Sequence, residues 1–200
     1  MKQNKKRREI TSMPSVELLE KEVSRKKYQK RYFAVLRNTI YTLITVAAAA
    51  VLVAVLILPV LQIYGSSMTP TLHEGQIVVS LKGSDFKQGD VIAFYYNNKI
   101  LVKRLIAGPG SWINIDKDGN VYVNDQLLDE PYMAGKEKAL GDCNIELPYQ
   151  VPDGRYFVMG DHRSTSIDSR NTAVGCVAEE QIVGRIVFSI WPLNTLGKVS

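Results

Sequence analysis

An apolar segment near the start of this 200-residue chain limits the possible folds more than any other feature. It runs from Ile40 to Leu61, reads IYTLITVAAAAVLVAVLILPVL, and holds 22 residues without one charged side chain. A helix of about 20 apolar residues is long enough to cross a hydrocarbon layer of roughly 30 Å. The segment therefore predicts one transmembrane helix, which we place within residues 38–63.

Two other kinds of apolar segment fit this sequence less well. A buried helix of a soluble protein would show a polar face, and this segment has none. A cleavable signal peptide would have an apolar core of roughly 7–15 residues followed by a small-residue cleavage site. This run is longer than such a core and ends in LPVLQ. A permanent membrane anchor is the interpretation that the sequence favours.

Positive charge is concentrated in front of the anchor. Residues 1–37 contain 12 Lys/Arg and 4 Asp/Glu, a net charge of +8, whereas residues 38–200 contain 13 and 16, a net charge of −3. The positive-inside rule then places the N-terminal tail in the cytoplasm and residues 64–200 outside it. We expect residues 1–37 to be a solvated tail whose lysines approach anionic lipid headgroups. A nucleic-acid-binding face on the folded part is not expected.

The remaining residues, 64–200, have the pattern of an all-β domain. Short runs rich in Val, Ile, Tyr and Phe alternate with Gly, Pro, Asp and Asn, as in DVIAFYY, KILVKRLIA, RYFVMG and QIVGRIVFSIW. Many short strands with such turns predict a mainly β fold, either a partly open antiparallel β-barrel or a folded sheet. The DKDGN stretch at 116–120 is predicted to be a hairpin turn, because it lacks the Gly and Glu of a calcium-binding loop.

Few side chains are available to bind a metal or to form disulfides. The chain has two histidines and two cysteines, Cys143 and Cys176, which are far apart in sequence and form no CxxC motif. A zinc centre therefore has few ligands available. A disulfide between the two cysteines is chemically allowed outside the cytoplasm, and the sequence leaves the pairing open.

A serine-containing turn follows the apolar segment closely. Ser67 lies six residues after Leu61, in GSSMTPTL, and Pro70 restricts both its own φ and the conformation of Thr69. Such a turn presents a hydroxyl beside exposed backbone N–H groups. It is either an ordinary turn serine or a nucleophile, and a nucleophilic serine needs a base beside it.

Lys103 is the candidate base. In KILVKRLIA the two-residue period of a strand places Lys103 on one face with Leu101 and Leu105, and turns Arg104 to the other face. Burial among leucines disfavours the ammonium form and lowers the pKa of a lysine. A neutral amine can accept a proton from Ser67. The alternative is an amine that reaches past its apolar neighbours to water.

A polar loop supplies the third group of candidates. Residues 159–170 read MGDHRSTSIDSR and follow the strand RYFV. Ser166 is placed to hydrogen-bond the Lys103 amine. Asp168 and Arg170 are two residues apart, so on an extended chain they share a face and can form an ion pair that holds the shape of the site. The alternative is a solvated loop stabilised by Asx turns.

Four segments, taken together and in this order after an N-terminal anchor, resemble one family. GSSMTPTLHEG, GDVIAF, LVKRLIAGPG and MGDHRSTSIDSR are similar to the motifs of bacterial type I signal peptidases, also called leader peptidases. The resemblance extends from about residue 63 to residue 192. It implies a Ser–Lys serine protease with a mainly β, partly open catalytic domain that rests on the membrane.

The resemblance also implies roles for the candidate residues. Ser67 would be the nucleophile and Lys103 the general base, while Ser166 orients the lysine, and Asp168 and Arg170 support the site. The substrates would be preproteins that carry signal peptides, and small side chains such as Ala would occupy shallow pockets one and three residues before the scissile bond. No cofactor or metal is implied, and we expect a monomer in the cell membrane.

The sequence departs from the family pattern at three places. Gly65 stands where some relatives have a serine whose hydroxyl helps to bind the oxyanion, so the Ser67 backbone N–H must carry more of that role. His162 stands where the family usually has Asn, and Thr165 and Ser164 stand where many members have Asn and Asp, respectively, before Ser166. Because Asn at that position cannot act as a base, His162 is not expected to be the base.

Two other functions are compatible with this organisation. One is a specialised processing protease that acts on pilins or a few surface proteins. The other is a non-catalytic, membrane-anchored β domain that binds exported chains. Substitution of Ser67 or Lys103 would favour the second alternative, and neither residue is substituted.

Overall fold

A computed structural model describes residues 15–83, 85–133 and 138–199. The chain divides into two compact units, residues 1–52 and residues 53–200.

One long helix, α1, covers Val16–Ile57 and includes most of the apolar segment. Its described side chains are exposed throughout, including those of Leu43, Val51 and Leu56. A helix with so many bare apolar side chains needs an apolar environment, and in the described ranges α1 alone is long and apolar enough to span a membrane.

The helix ends earlier than the predicted boundary at residue 63. Pro59 has no backbone N–H to donate, and proline disfavours helical geometry in the residue before it. The chain therefore leaves the helix after Ile57 and enters strand β1, Val60–Gln62. The last residues of the apolar run belong to a sheet, because apolar composition alone does not separate a helix end from a strand.

The larger sheet has eight strands, and all of its pairings are antiparallel. Its order is β1-β2-β11-β3-β4-β9-β10, and β12 pairs with β11. After β1, its strands are β2 (Ile77–Leu81), β3 (Val91–Tyr96), β4 (Lys99–Ala107), β9 (Arg155–Met159), β10 (Val177–Ala178), β11 (Ile182–Trp191) and β12 (Gly197–Lys198).

A second, four-stranded antiparallel sheet has the order β7-β6-β5-β8. Its strands are β5 (Trp112–Ile115), β6 (Val121–Val123), β7 (Gln126–Leu127) and β8 (Tyr149–Gln150). The DKDGN stretch is the β5–β6 hairpin turn, as predicted, and Asp116 Oδ1 accepts hydrogen bonds from the Asp118 and Asn120 amides. Two short 3₁₀ helices, Glu179–Gln181 and Leu193–Thr195, complete the described elements.

The predicted fold class is confirmed. The protein is mainly β, with one N-terminal apolar helix, and the described strands form two open antiparallel sheets and no closed barrel.

Apolar clusters on the two faces of β4 fix the position of the site. Val102 packs against a cluster with Val91 and Ala93, while Leu101 and Leu105 pack in another with Ile92 and Phe94. The segment after β1 contributes three side chains to the first cluster: Ile63, Met68 and Leu72. The strand alternation predicted from the sequence is therefore present, and it brings the serine turn beside β4.

Candidate active site

Buried apolar side chains anchor the turn that contains Ser67. Met68 and Leu72 are 2% and 1% exposed, and the Leu72 amide donates to Met68 O at 2.8 Å. The Thr69 amide donates to Ser66 O at 3.1 Å and closes the turn. Ser67 itself is half-buried. Its backbone N–H makes no hydrogen bond to any residue that the structure describes, so it can donate to another group.

Lys103 is buried on β4 and contacts the serine directly. Its side chain is 4% exposed, and Nζ lies 2.6 Å from Ser67 Oγ. Burial lowers the pKa of Lys103 from 10.5 to about 8, although the negative charges of Asp168 and Asp161 act in the opposite direction. A substantial fraction of the amine is therefore neutral near pH 8, and a neutral amine beside a hydroxyl can accept its proton.

The predicted ion pair between Asp168 and Arg170 is present and completely buried. Arg170 Nε and Nη2 each lie 2.8 Å from one carboxylate oxygen of Asp168. Burial alone would raise the pKa of Asp168, but the hydrogen bonds from Arg170 outweigh it and hold that pKa below its usual value. Asp168 also accepts from the Gly160 amide at 2.9 Å, so the pair ties the two ends of the 160–170 loop together.

The predicted bond from Ser166 to the Lys103 amine is absent from the structure. Ser166 is 2% exposed, and its Oγ makes no hydrogen bond of normal geometry within the described ranges, although it lies close enough to Asp168 to help lower the pKa of that carboxyl. Its backbone amide donates to His162 O at 3.1 Å, which fixes the residue in a turn of the loop. The position of the Ser166 hydroxyl depends on this turn, and neither strand alternation nor loop composition in the sequence predicts the turn.

Gly160 allows the loop and the serine turn to meet. A Cβ atom at this position would lie 2.5 Å from Ser67 O and 2.6 Å from Ser166 Cβ, closer than real side chains come. The absence of a side chain at Gly160 therefore sets the distance between the Ser67 backbone and the loop. Sequence reasoning noted this glycine only as the start of a polar loop.

A second buried ion pair, which we did not predict, lies next to the dyad. Arg104 Nε and Nη2 donate to Asp161 at 2.8 and 2.7 Å, and Nη1 donates to Gly89 O at 2.7 Å. Asp161 also accepts a hydrogen bond from the Thr71 hydroxyl. The only sequence signal was an arginine facing away from Lys103 on an otherwise apolar face of the strand. The pair joins β4, the serine turn and the loop.

A third buried pair extends this network. Glu130 contacts Arg163 in an ion pair and accepts a hydrogen bond from Tyr132 Oη at 2.9 Å. The Tyr132 ring covers the Arg104 guanidinium at 3.8 Å. Sequence reasoning had assigned no role to these residues, because pairing over such separations depends on the folded arrangement.

His162 does not contact the proton-transfer atoms. Its ring Nδ1 lies 3.1 Å from Thr69 Oγ1, and its backbone amide donates to Ser67 O at 3.1 Å. Among the described residues it makes no hydrogen bond to Ser67 Oγ or Lys103 Nζ. Of these two side chains, Lys103 is the one that contacts the Ser67 hydroxyl in the described residues.

A groove of about 680 Å³ leads to Ser67 and Lys103. Its walls are residues 60–65 with Ser67 and Met68, and residues 99–103 of β4. Strand β9 pairs only with the second half of β4, from Arg104 to Ala107. Residues 99–103 therefore have one edge without a partner strand in the described part of the chain, and that edge can pair with an extended peptide.

The cysteines are unpaired. Cys176 is buried, with its Sγ 3.8 Å from Tyr149 Oη, and Cys143 is half-buried. The described residues contain no group of three or more His, Cys, Asp or Glu side chains arranged to bind a metal ion.

Comparison with known proteins identifies the family of the chain. The model of the family "Signal peptidase, peptidase S26" matches residues 36–191. Signal peptidase I of Bacillus licheniformis is 33% identical over 177 residues, which cover 81% of this chain and 94% of the relative. Signal peptidase I T of Bacillus subtilis (strain 168) is 38% identical over 143 residues, 66% of this chain and 73% of the relative.

A crystal structure of a signal peptidase I from Enterococcus faecalis V583 is 30% identical, with a TM-score of 0.41, and covers 50% of this chain and 96% of that one. The family match spans more than half of the chain, and the B. licheniformis relative aligns over nearly all of its own length. The chain therefore belongs to the signal peptidase family, peptidase S26, and is a serine endopeptidase of this signal-peptide-processing family.

Proposed function

We propose that this protein uses a Ser67–Lys103 dyad to cleave signal peptides from exported preproteins at the outer surface of the cytoplasmic membrane. The observation that carries the proposal is the 2.6 Å distance between Lys103 Nζ and Ser67 Oγ. Burial favours the neutral amine that the reaction needs, and the pKa of about 8 reflects it. A non-catalytic binding domain would have no need of this pair.

Acylation begins when Lys103 accepts the Ser67 proton. Oγ attacks the carbonyl carbon of the scissile bond, and the carbonyl oxygen becomes an oxyanion. The Ser67 backbone N–H, which has no partner in the described ranges, is placed to donate to that oxyanion. The protonated lysine then transfers its proton to the leaving amine, and the C–N bond breaks to give an acyl-enzyme.

Deacylation uses the same base. Lys103, neutral again after releasing its proton, takes a proton from a water molecule that attacks the ester carbonyl. The tetrahedral intermediate collapses, Ser67 Oγ leaves with the proton from the lysine, and the signal peptide is released with a new carboxyl terminus. No metal or cofactor takes part in the proposed steps.

Three further residues support the dyad without reacting. Asp168 and Arg170 hold the 160–170 loop closed through their bidentate pair. Ser166 is buried in that loop with an unsatisfied Oγ within the described ranges. We assign it the role of orienting Lys103 during turnover, when the amine moves off the Ser67 hydroxyl.

The groove favours an extended substrate. A preprotein segment would pair with the free edge of residues 99–103 and reach Ser67 at the end of the groove. Main-chain hydrogen bonds to this edge fix the register of the peptide and are independent of its sequence. Every second side chain of the peptide then points into the groove. Small residues such as Ala, one and three positions before the scissile bond, suit this arrangement.

The proposed topology follows from the charge distribution. Residues 1–37 form the cytoplasmic tail, the apolar part of α1 from residue 38 onward supplies the transmembrane segment, and residues 64–200 form the catalytic domain outside. Ser67 lies ten residues after the helix end at Ile57, so the nucleophile stays close to the lipid surface. Because one chain supplies all the site residues, a monomer is sufficient for activity.

The direct test is cleavage of a purified preprotein. Detergent-solubilised protein is incubated with a preprotein, and the new N-terminus is sequenced. We expect a single cut after the signal peptide, with Ala or a similarly small residue just before it. No cut, or cuts at unrelated sites, would contradict the proposed function. Cleavage restricted to one pilin-like substrate would identify the specialised protease instead.

A further inference from the structure

Hydrogen bonds from one residue reach both carbonyl groups that flank the nucleophile. The His162 backbone amide donates directly to Ser67 O at 3.1 Å. On the other side, the His162 ring contacts Thr69 Oγ1 at 3.1 Å, and Thr69 Oγ1 donates to Ser66 O at 2.8 Å. The peptide group between Ser66 and Ser67 is therefore connected to the loop by two consecutive hydrogen bonds, both of which involve the Thr69 hydroxyl.

When both contacts are hydrogen bonds, proton count gives their direction, and it requires the His162 tautomer that carries its proton on Nδ1. Ser66 O is a carbonyl and can only accept, so the single hydroxyl proton of Thr69 points to it. Thr69 Oγ1 then has only lone pairs left for His162, and the ring must donate from Nδ1. The order is His162 Nδ1–H to Thr69 Oγ1–H to Ser66 O.

The end of this chain is the group that would bind the oxyanion. Ser66 C=O and Ser67 N–H belong to the same planar peptide unit. Hydrogen bonds accepted by the carbonyl hold that plane in place and polarise the N–H on its other side, because bonds in a chain reinforce each other. Gly65 provides no side-chain donor, so the Ser67 N–H carries more of the oxyanion stabilisation than it would beside a serine.

We propose that His162 and Thr69 form a relay that positions and polarises the Ser67 amide for the transition state. Both act as positioning residues, since neither touches the reacting atoms. This inference rests on the proposed function, because it takes Ser67 as the nucleophile and its N–H as the oxyanion donor. It gives the histidine a role that is separate from proton transfer.

The test compares variants that break the relay with variants that keep it. His162→Ala and Thr69→Val each remove one link, whereas Thr69→Ser keeps the hydroxyl and His162→Asn places an amide nitrogen near the position of Nδ1. A neutral hydrogen bond of ordinary strength corresponds to a loss of about 3- to 10-fold in kcat for the breaking variants. Thr69→Ser and His162→Asn should recover most of that loss.

Three readouts separate the relay from a merely structural effect. KM and the thermal unfolding midpoint should stay near wild type, since the relay acts on the oxyanion and not on the bound peptide. Affinity for a peptide boronic acid with Ala next to boron, which forms a tetrahedral adduct with serine, should fall by the same factor as kcat. The double variant His162→Ala/Thr69→Val should lose no more than either single variant, because both break one chain.

Matched controls come from exposed residues of the same types. The His73 ring and the Thr172 hydroxyl make no hydrogen bond to any residue in the described ranges, so His73→Ala and Thr172→Val should have wild-type kinetics. Wild-type kcat in His162→Ala and Thr69→Val, with Ser67→Ala and Lys103→Met inactive, would overturn the relay and leave the proposed function intact. A double variant whose loss in kcat equals the product of the two single losses would also overturn the relay. Activity in Ser67→Ala would instead overturn the proposed function.

Discussion

Lys103 Nζ lies 2.6 Å from Ser67 Oγ, although the two residues are 36 positions apart and belong to different segments. The amine comes from the middle of β4, whose backbone cannot move without disturbing the sheet. The hydroxyl comes from a turn that is anchored by buried Met68 and Leu72. The short distance is therefore built into the folded domain and does not depend on a flexible loop.

Removing either member of this pair should abolish turnover without unfolding the domain. Ser67→Ala loses one hydroxyl and creates no sizeable cavity. Lys103→Met keeps a long apolar side chain but has no amine, and Lys103→Arg remains protonated because the guanidinium pKa is above roughly 12. We expect the three variants to retain at most about a thousandth of the wild-type rate in a preprotein cleavage assay. Lys117→Met, at an exposed lysine, is the control, and near-wild-type cleavage by Lys103→Met or Lys103→Arg would contradict the dyad.

Activity should rise with pH through the pKa of the buried amine. The base must be neutral, and the pKa of Lys103 is about 8 because of burial. kcat/KM reports ionisations of the free enzyme, so it should increase about tenfold per pH unit below pH 8 and level off above it. The measurement is kcat/KM from pH 6 to pH 10 with a peptide substrate that does not titrate there. A midpoint near the ordinary histidine value of roughly 6.5 would point to His162 as the base.

The same amine should lower the stability of the wild-type domain near neutral pH. The folded-state pKa of Lys103 is about 8, below the unfolded value of 10.5. Between these two pH values the unfolded chain binds more protons than the folded one, so stability rises with pH from 8 to 10.5, and the full penalty is present below pH 8. Lys103→Met removes the buried charge. It should be more stable than wild type by on the order of 2–3 kcal/mol at pH 7, after loss of the Ser67 hydrogen bond is subtracted.

That gain should shrink as the pH is raised from 8 towards 10.5. Thermal unfolding of both proteins in the same detergent, over this pH range, measures it. A Lys103→Met protein that is less stable than wild type at pH 7 would show that the lysine is not destabilised by burial. Lys117→Met again serves as the control and should show no pH-dependent gain.

Gly160→Ala should separate the loop from the serine turn. The added methyl group would lie 2.5 Å from Ser67 O and 2.6 Å from Ser166 Cβ, so one side must shift. Overpacking of this kind typically costs about 1–3 kcal/mol, and a displaced nucleophile loses rate steeply. We expect a loss of about 100-fold or more in kcat and a lower unfolding midpoint. Gly83→Ala, where an added Cβ meets no atom within 4 Å, is the control, and equal behaviour of the two variants would contradict the close packing.

The orientation of the chain is tested by proteolysis of intact cells. A protease added outside should digest the region after the anchor and spare the N-terminal tail, because the positive residues precede the apolar segment Ile40–Leu61. Immunodetection of tags at the two ends reports which end is lost. Protection of the C-terminal domain in intact cells would reverse the topology and remove the export role with it.

The local parts of this structure were predictable from the sequence. The two-residue period of β4 placed Lys103 with Leu101 and Leu105, and the Asp168–Arg170 pair followed from their spacing. The Gly, Pro and Asx punctuation indicated many short strands. Each of these inferences uses residues within one segment, where backbone geometry fixes which side chains are neighbours.

The long-range parts were not predictable from pattern alone. The meeting of Ser67 and Lys103 was inferred only through the family resemblance. The pairs Arg104–Asp161 and Glu130–Arg163 join residues 57 and 33 positions apart, and no periodicity specifies such partners. For Ser166, the hydrogen bond to Lys103 that the sequence suggested is not formed, because the position of its hydroxyl depends on the turn in which it lies.

The early end of α1 decides where a soluble form of the enzyme must begin. A truncation at residue 64, where composition places the domain boundary, would delete β1 and leave the neighbouring edge of β2 unpaired. It would also remove Val60, Leu61 and Gln62 from one wall of the groove. Exposed strand edges promote aggregation, so such a fragment would tend to aggregate and would bind peptides less well. A version that starts just before Val60 keeps the sheet and the groove whole while discarding the helix.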